Sequence, residues 1–412
     1  MSESKSEYDV YSGLLSGSQV HTLSSDVLLN CVLNKSLGAL SESEEILVLH
    51  DPCDLRKPYS RAMESIDKVR SLDHQIIQGY KSINSVAVLP HSKEVHLLAH
   101  QLYSSKEEHY LSESELEVPQ SLSASEKDLI YNAQYINSNL LMKQQLKECS
   151  LALKKDHPKR SVCHILDREF DCSSLFSYLH KELEDDFIIR LKTSRLSNTL
   201  KATKTPQGKL SQKQSYVKLA DKTLEYFSNY KVQKLTLNNR VYQDVTVKME
   251  WEPLHLENTC YTVLKITLFQ KGSPLFEQGM LLLTTHPIKN LEDAKKIYTS
   301  YLLRFKIEVV FKFLKQHLGW ESFQSRSLET IRNLVALAFF FVGFFKELED
   351  ELRTHPLALF LCNLACSKGK ITPFFLLKGL SKIAHFYEIK QLIQEQNISE
   401  EELEEFYKSY LL

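Results

Sequence analysis

The first strongly patterned stretch of the chain is Ile46-Leu-Val-Leu, an apolar run that leads straight into His50 and Asp51 and predicts a buried strand. Ahead of it, residues 1–44 are polar, with a single helical spacing over Asp26 to Leu40. Two further apolar runs, Ile83 to Leu89 and Val95 to Tyr103, flank Pro90-His-Ser-Lys and predict a hairpin. Ser123 with Glu126 three residues on has the form of a capping box, so a helix is expected from there towards Ser150. Val162 to Leu166 is the next strand and ends at Asp167, followed by a short amphipathic segment, Ser173 to Glu184, and the strand Phe187 to Leu191.

Residues 198–285 change character. Val245 to Trp251, Tyr261 to Phe269 and Met280 to Thr284 have strand patterns, broken by turn signals such as Lys271-Gly-Ser-Pro. They predict a separate β-rich insertion. From Leu291 the pattern turns helical, through Leu291 to Lys315 and Leu328 to Glu349. The expected organisation is a short N-terminal segment (1–44), an α/β core in two parts (45–197 and 286–345) interrupted by the insertion (198–285), and a helical C-terminal region (346–412).

At 412 residues, 43% hydrophobic and 25% charged, the chain has the composition of a globular protein large enough for two or three domains. Its longest apolar run, Leu334 to Phe345, has 12 residues where a membrane span needs about 20, so a buried core helix is expected. The polar start Met-Ser-Glu-Ser-Lys-Ser-Glu has no apolar stretch behind it, so no secretory signal is visible and a cytoplasmic location is expected. The 8 cysteines are scattered without a Cys-x2-Cys pair and predict free thiols.

The net charge of -1 conceals a strong segregation. Between Arg190 and Arg240 stand twelve Lys or Arg and only two acidic residues, Asp221 and Glu225. That window is a candidate phosphate-binding surface with Lys201, Lys204 and Lys209 at its centre, or else a solvated basic segment.

The most informative segment is Tyr301 to Lys315. On one continuous helix, at ~100° per residue, Tyr301, Arg304, Glu308 and Lys315 share an arc of about 60°, with apolar residues over most of the rest. This predicts a largely buried helix with one narrow polar stripe. Arg304 and Glu308 could form an ordinary ion pair four residues apart. The stripe also suits a carboxylate that binds a hard cation while the bases and the phenol hold phosphate. Asp51 and Asp167 are two further carboxylates at predicted strand ends. Three such groups converging from two strands and a helix could hold two divalent ions about 3.5 to 4 Å apart.

Tyr301-x2-Arg304-x3-Glu308-x6-Lys315 resembles the Tyr-Arg-Glu-Lys motif of bacterial insertion-sequence transposases of the insertion-sequence-four group. Asp167-Arg168-Glu169-Phe-Asp171 is similar to their second-aspartate motif, and His50-Asp51-Pro-Cys-Asp54-Leu to the first, with Asp54 a rival to Asp51. The resemblance covers roughly residues 45–345. It implies a ribonuclease-H-like mixed sheet flanked by helices, with the β-rich insertion before the last catalytic helix. It also implies Asp51, Asp167 and Glu308 as ligands of two Mg2+ or Mn2+ ions, with Tyr301, Arg304, Lys315 and Arg168 on DNA phosphates. Relatives that form a DNA hairpin hold a flipped base against a Trp before the Leu-Leu-Leu-Thr strand, where Met280 stands here. Met stacks less well than Trp, so a simpler order of cuts stays open. Relatives also carry a helical end-binding domain ahead of the first Asp, which predicts a shortened end-binding segment in residues 1–44.

No Gly-x4-Gly-Lys-Ser/Thr loop, Gly-x-Ser-x-Gly elbow or His-Glu-x2-His motif is present. The resemblance implies a metal-dependent DDE transposase of the bacterial nucleoid that cuts double-stranded DNA at transposon ends and joins it to a target, working as a homodimer on DNA. Its rivals are a ribonuclease-H-like nuclease without strand transfer and a silent or truncated remnant that binds DNA.

Overall fold

The computed structural model of the chain describes residues 24–40, 43, 45–110, 137–204, 210–237, 240–256, 259–352, 356–395, 399 and 401–402. Its centre is a mixed sheet of 11 strands in the order β2-β3-β1-β5-β6-β13-β11-β10-β9, with β4 beside β3 and β12 beside β11. The strands of the first half are β1 (Glu45–Arg56), β2 (Asp67–Arg70), β3 (Ile76–Val88), β4 (Val95–Tyr103), β5 (Ser161–Leu166) and β6 (Asp186–Arg190). β1, β5 and β6 run parallel to one another; β3 pairs antiparallel with β1, and with β4 through the expected hairpin.

Apolar alternation explains how the sheet is covered. Leu47, Leu49, Cys163 and Ile165 face one core, while Ile46, Val48 and Val162 face the other side. Helix α1 (Ser25–Ala39) matches the helix expected over Asp26 to Leu40, and its Ser24 side chain accepts from the Val27 amide as an N-cap. Helix α2 (Ser138–Lys154), capped by Asn137, lies against the second face with α3 (Ser173–Ser177) and a π turn, Tyr178–Glu182. The proposed cap at Ser123 and Glu126 lies outside the described residues.

Beyond β6 come β7 (Leu196–Lys204), β8 (Leu210–Lys218), β9 (Tyr226–Leu237), β10 (Arg240–Leu256), β11 (Thr259–Gln270), β12 (Ser273–Pro274) and β13 (Met280–Thr284). Here the structure corrects the expected separate insertion. β13 pairs with β6, and β11, β10 and β9 follow outward in the same sheet, so most of the described residues of 198–285 extend the core, while β7 and β8 form a two-stranded sheet of their own. The reason is covalently remote pairing: Leu283 lies opposite Ile189, a match that local strand patterns do not reveal.

The C-terminal part holds α4 (Leu291–Leu302), α5 (Phe305–His317), α6 (Leu328–Leu352), α7 (Pro356–Leu364) and α8 (Pro373–Glu395). The single helix expected over Leu291 to Lys315 is broken at Leu303–Arg304, where a turn separates α4 from α5. The expected narrow stripe is corrected too: α5 is amphipathic, with Ile307, Val310, Phe311 and Leu314 buried while Phe305 and Val309 are exposed. Leu328–Lys346 of α6 is long and apolar enough to cross a membrane. Its Ile331, Val335 and Phe339 are nevertheless fully buried in the main core, as a core helix requires. All eight cysteines are free. A mixed sheet flanked by helices is consistent with the ribonuclease-H-like class expected above.

Candidate active site

Strand register places the two aspartates side by side. β1 and β5 pair from Glu45 with Ser161 to Leu49 with Ile165, and the same offset two residues further on sets Asp51 opposite Asp167. β5 and β6 pair up to Leu166 with Ile189, so the next step sets Arg190 beside Asp167, with Arg190 Nη1 3.9 Å from Asp167 Oδ1. Contrary to the expectation of a strand end at Asp51, β1 continues to Arg56 along β3. What ends is the parallel pairing with β5, and this frees the Asp51 side chain from a flanking strand.

The turn between α4 and α5 brings the third carboxylate over this row. Arg304 Nη1 donates to Asp51 Oδ1 at 3.0 Å, and Nη2 donates to Glu308 Oε1 at 3.2 Å and lies 3.9 Å from Asp167 Oδ2. Tyr301, at the end of α4, donates its hydroxyl to Asp167 Oδ1 at 3.2 Å. The ion pair of Arg304 with Glu308 and the convergence on two strand aspartates are therefore one arrangement. Asp51, Pro52, Asp54, Asp167 and Glu169 line an adjoining cleft of about 190 Å³.

Charge crowding shows in the acidities. Burial pushes the Asp51 carboxyl up to about 7; Arg304 opposes this, while Asp167, Glu308 and Glu169 add to it. Burial, then the charge of Asp167, raises the Tyr301 phenol to about 12, so it is a donor throughout the neutral range. Burial works against the Arg304 charge, but Asp51 and Asp167 outweigh it and keep the guanidinium protonated. Three carboxylates offer the hard oxygen donors that magnesium or manganese takes, so in kind they fit. Among the described residues, however, no three Asp, Glu, His or Cys stand close enough together to close on an ion as they are.

The remaining expected residues fall around this centre. Lys315 stands apart from it, with Nζ 2.7 Å from the Asp54 carbonyl and 3.1 Å from Glu321. Asp54 accepts from the Arg70 backbone amide instead of meeting Arg304. Arg168 is exposed on the 3-10 turn Arg168–Phe170, where the Asp167 side chain accepts from its backbone amide. Met280 is half-buried at the start of β13, opposite Ile266, and packs on the main core. Lys201 and Lys204 belong to β7, but their side chains, like the whole of Lys209, lie outside the described residues.

Sequence reasoning missed a buried hydrogen-bonded run behind the aspartates. His164 Nε2 is 3.0 Å from Asp185 Oδ2, His164 Nδ1 2.8 Å from His50 Nε2, His50 Nδ1 2.7 Å from Ser85 Oγ, and Gln145 Nε2 2.6 Å from that oxygen. Asp185 only accepts, so His164 Nε2 donates to it; with both imidazoles neutral, Gln145 donates to Ser85, Ser85 to His50 and His50 to His164. Lys154 closes the far end at 2.5 Å from Asp185 Oδ1. Burial alone would raise the Asp185 pKa, but His164, Lys154 and Ser150 hold the carboxyl below its ordinary range. Burial, then His164, keeps His50 neutral. The available signal was a histidine inside each of two apolar strand runs, at positions 50 and 164.

No curated protein matches the chain in sequence. Residues 141–342 match the family described as the transposase DDE domain, a stretch that contains Asp167, Tyr301, Arg304 and Glu308.

Proposed function

We propose that the chain is a transposase of the insertion-sequence-four group that cuts double-stranded DNA at transposon ends and joins the freed 3'-hydroxyl to a target. The observation that carries this reading is the convergence of Asp51, Asp167 and Glu308 on one guanidinium, from two neighbouring strands and a helix, largely within a stretch that matches the transposase DDE domain. Asp51, Asp167 and Glu308 would hold two Mg2+ or Mn2+ ions, which when bound polarise the scissile phosphate and favour an oxygen nucleophile. Tyr301 orients Asp167 by donating to one carboxylate oxygen. Asp51 must give up its proton before it can serve as a ligand. Arg190 and Arg304 supply positive charge beside the acidic row for the phosphodiester backbone. Met280 would pack on a displaced base, Lys315 and Arg168 would meet phosphates at the rim, and the protein would work as a homodimer on DNA at the nucleoid.

The test incubates the full chain with its own flanking DNA and a target plasmid, with Mg2+ or Mn2+, and with Glu308→Ala as control. Joined product that needs both metal and Glu308 is expected. Cutting without joining would assign a nuclease, and binding without cutting a silent remnant.

A further inference from the structure

A side chain fills the centre of the acidic site. The Arg304 guanidinium spans Asp51 and Glu308 at 3.0 and 3.2 Å and reaches Asp167 at 3.9 Å, and its side chain is only 10% exposed. A magnesium ion would need oxygens from the same carboxylates at about 2.0 to 2.1 Å. The guanidinium and the ion thus compete for the same lone pairs. With Arg304 in place the carboxylates are spread around a group several ångströms wide, and among the described residues no set of three closes to metal-binding spacing.

The position of Arg304 suits a group that moves. It occupies the junction between α4 and α5, where its carbonyl accepts the first turn of α5 from the Ile307 amide and its own side chain makes no capping bond. The side chain has four rotatable single bonds, and no capping bond of α5 depends on it. Its planar donors match a phosphate as well as they match a carboxylate. Arg190, the next cation in the row, keeps charge beside Asp167 if Arg304 leaves.

We propose that Arg304 is a latch on the metal site: without DNA it holds Asp51, Asp167 and Glu308 in an arrangement that excludes divalent ions, and a backbone phosphate of bound DNA draws it away. Metal binding and DNA binding are then coupled through one side chain. This rests on the transposase reading above. By linkage, DNA raises the affinity for metal by the same factor as metal raises the affinity for DNA, and couplings between sites are commonly on the order of tenfold. The biochemical consequence is that hydrolytic capacity is assembled only where a strand is already seated.

The experiment measures free Mn2+ by electron paramagnetic resonance against the full chain, with and without a pre-cut duplex of its flanking DNA. Wild type is expected to gain on the order of tenfold in Mn2+ affinity when the duplex is added. Arg304→Met is expected to bind Mn2+ in the absence of DNA nearly as well as wild type does with it, and to gain little from the duplex. Equal wild-type affinity with and without DNA overturns the latch, as does a coupling that persists undiminished in Arg304→Met. Should Arg304→Met fail to fold, Arg304→Lys keeps the charge but cannot span two carboxylates, and its coupling must fall below that of wild type. Asp51→Asn and Glu308→Gln separate the two levels of the proposal. If neither weakens Mn2+ binding in the presence of DNA, the metal site itself is misassigned; if both do while DNA leaves wild type unchanged, only the latch is wrong.

Discussion

His50 Nε2 lies 2.8 Å from His164 Nδ1, and this contact joins strands β1 and β5 from behind, one residue before Asp51 and three before Asp167. Both rings are fully buried, and the run they belong to ends on the Asp185 carboxylate. Replacing His164 by Phe removes one donor to a buried charge and one acceptor for His50. A hydrogen bond to a charged group is worth about 1.5 to 3 kcal/mol, so His164→Phe should lower stability by at least that much in urea denaturation. Ser85→Ala, at the neutral end of the run, should cost about 1 kcal/mol. A larger loss for Ser85→Ala than for His164→Phe would mean that the carboxylate end does not dominate the run.

The raised pKa of Asp51 has a definite sign in stability. In the unfolded chain an aspartate titrates near about 3.9, whereas in the fold Asp51 titrates at about 7. Between those values the folded state binds the extra proton, so the Asp51 contribution falls as pH rises through the window and is level above it. Wild type should therefore lose more stability than Asp51→Asn between pH 5 and pH 8, read as urea midpoints. Equal losses would place the Asp51 titration outside that window. Metal binding runs the opposite way, because a proton on Asp51 competes with a cation: Mn2+ affinity should weaken as pH falls below about 7.

The basic window offers a test that needs no structure of its side chains. Lys201, Lys204 and Lys209 changed together to Gln should make the salt dependence of DNA binding shallower, by about 0.9 in logarithmic slope for each phosphate that is no longer neutralised. Part of the window is already engaged within the fold, since Arg195 pairs with Asp171 at 2.8 Å and Lys222 pairs with Glu252. An unchanged slope would leave the three lysines as ordinary solvated residues.

The parts of the fold that were legible in the sequence are those governed by local pattern. Ile46 to Leu49 and Val162 to Leu166 are uninterrupted apolar runs and emerged as buried strands. The spacing of Tyr301, Arg304 and Glu308 was legible as well, because three or four residues per step bring side chains to one side even across the break after Leu302. The break itself was hidden: Leu303 and Arg304 are good helix formers, and no Gly or Pro marks the turn. The fusion of β9 to β13 with the core sheet was hidden because it depends on pairing between β6 and β13, nearly a hundred residues apart. The run from Gln145 to Asp185 was hidden for the same reason: its members come from five segments, and each alone resembles a satisfied core residue.

The pairing of Leu49 with Ile165 has one more consequence. Neighbouring residues of a strand point to opposite faces, so His50 is directed into the layer under α2 while Asp51 is directed towards Arg304. If β1 slid by a single residue against β5, the imidazole would enter the acidic cleft and the carboxylate would enter the dry layer beneath the sheet. One misalignment would strand a buried charge and break the proton-ordered run at once. The alternation at His50 and Asp51 thus makes a one-residue misthreading of β1 energetically costly.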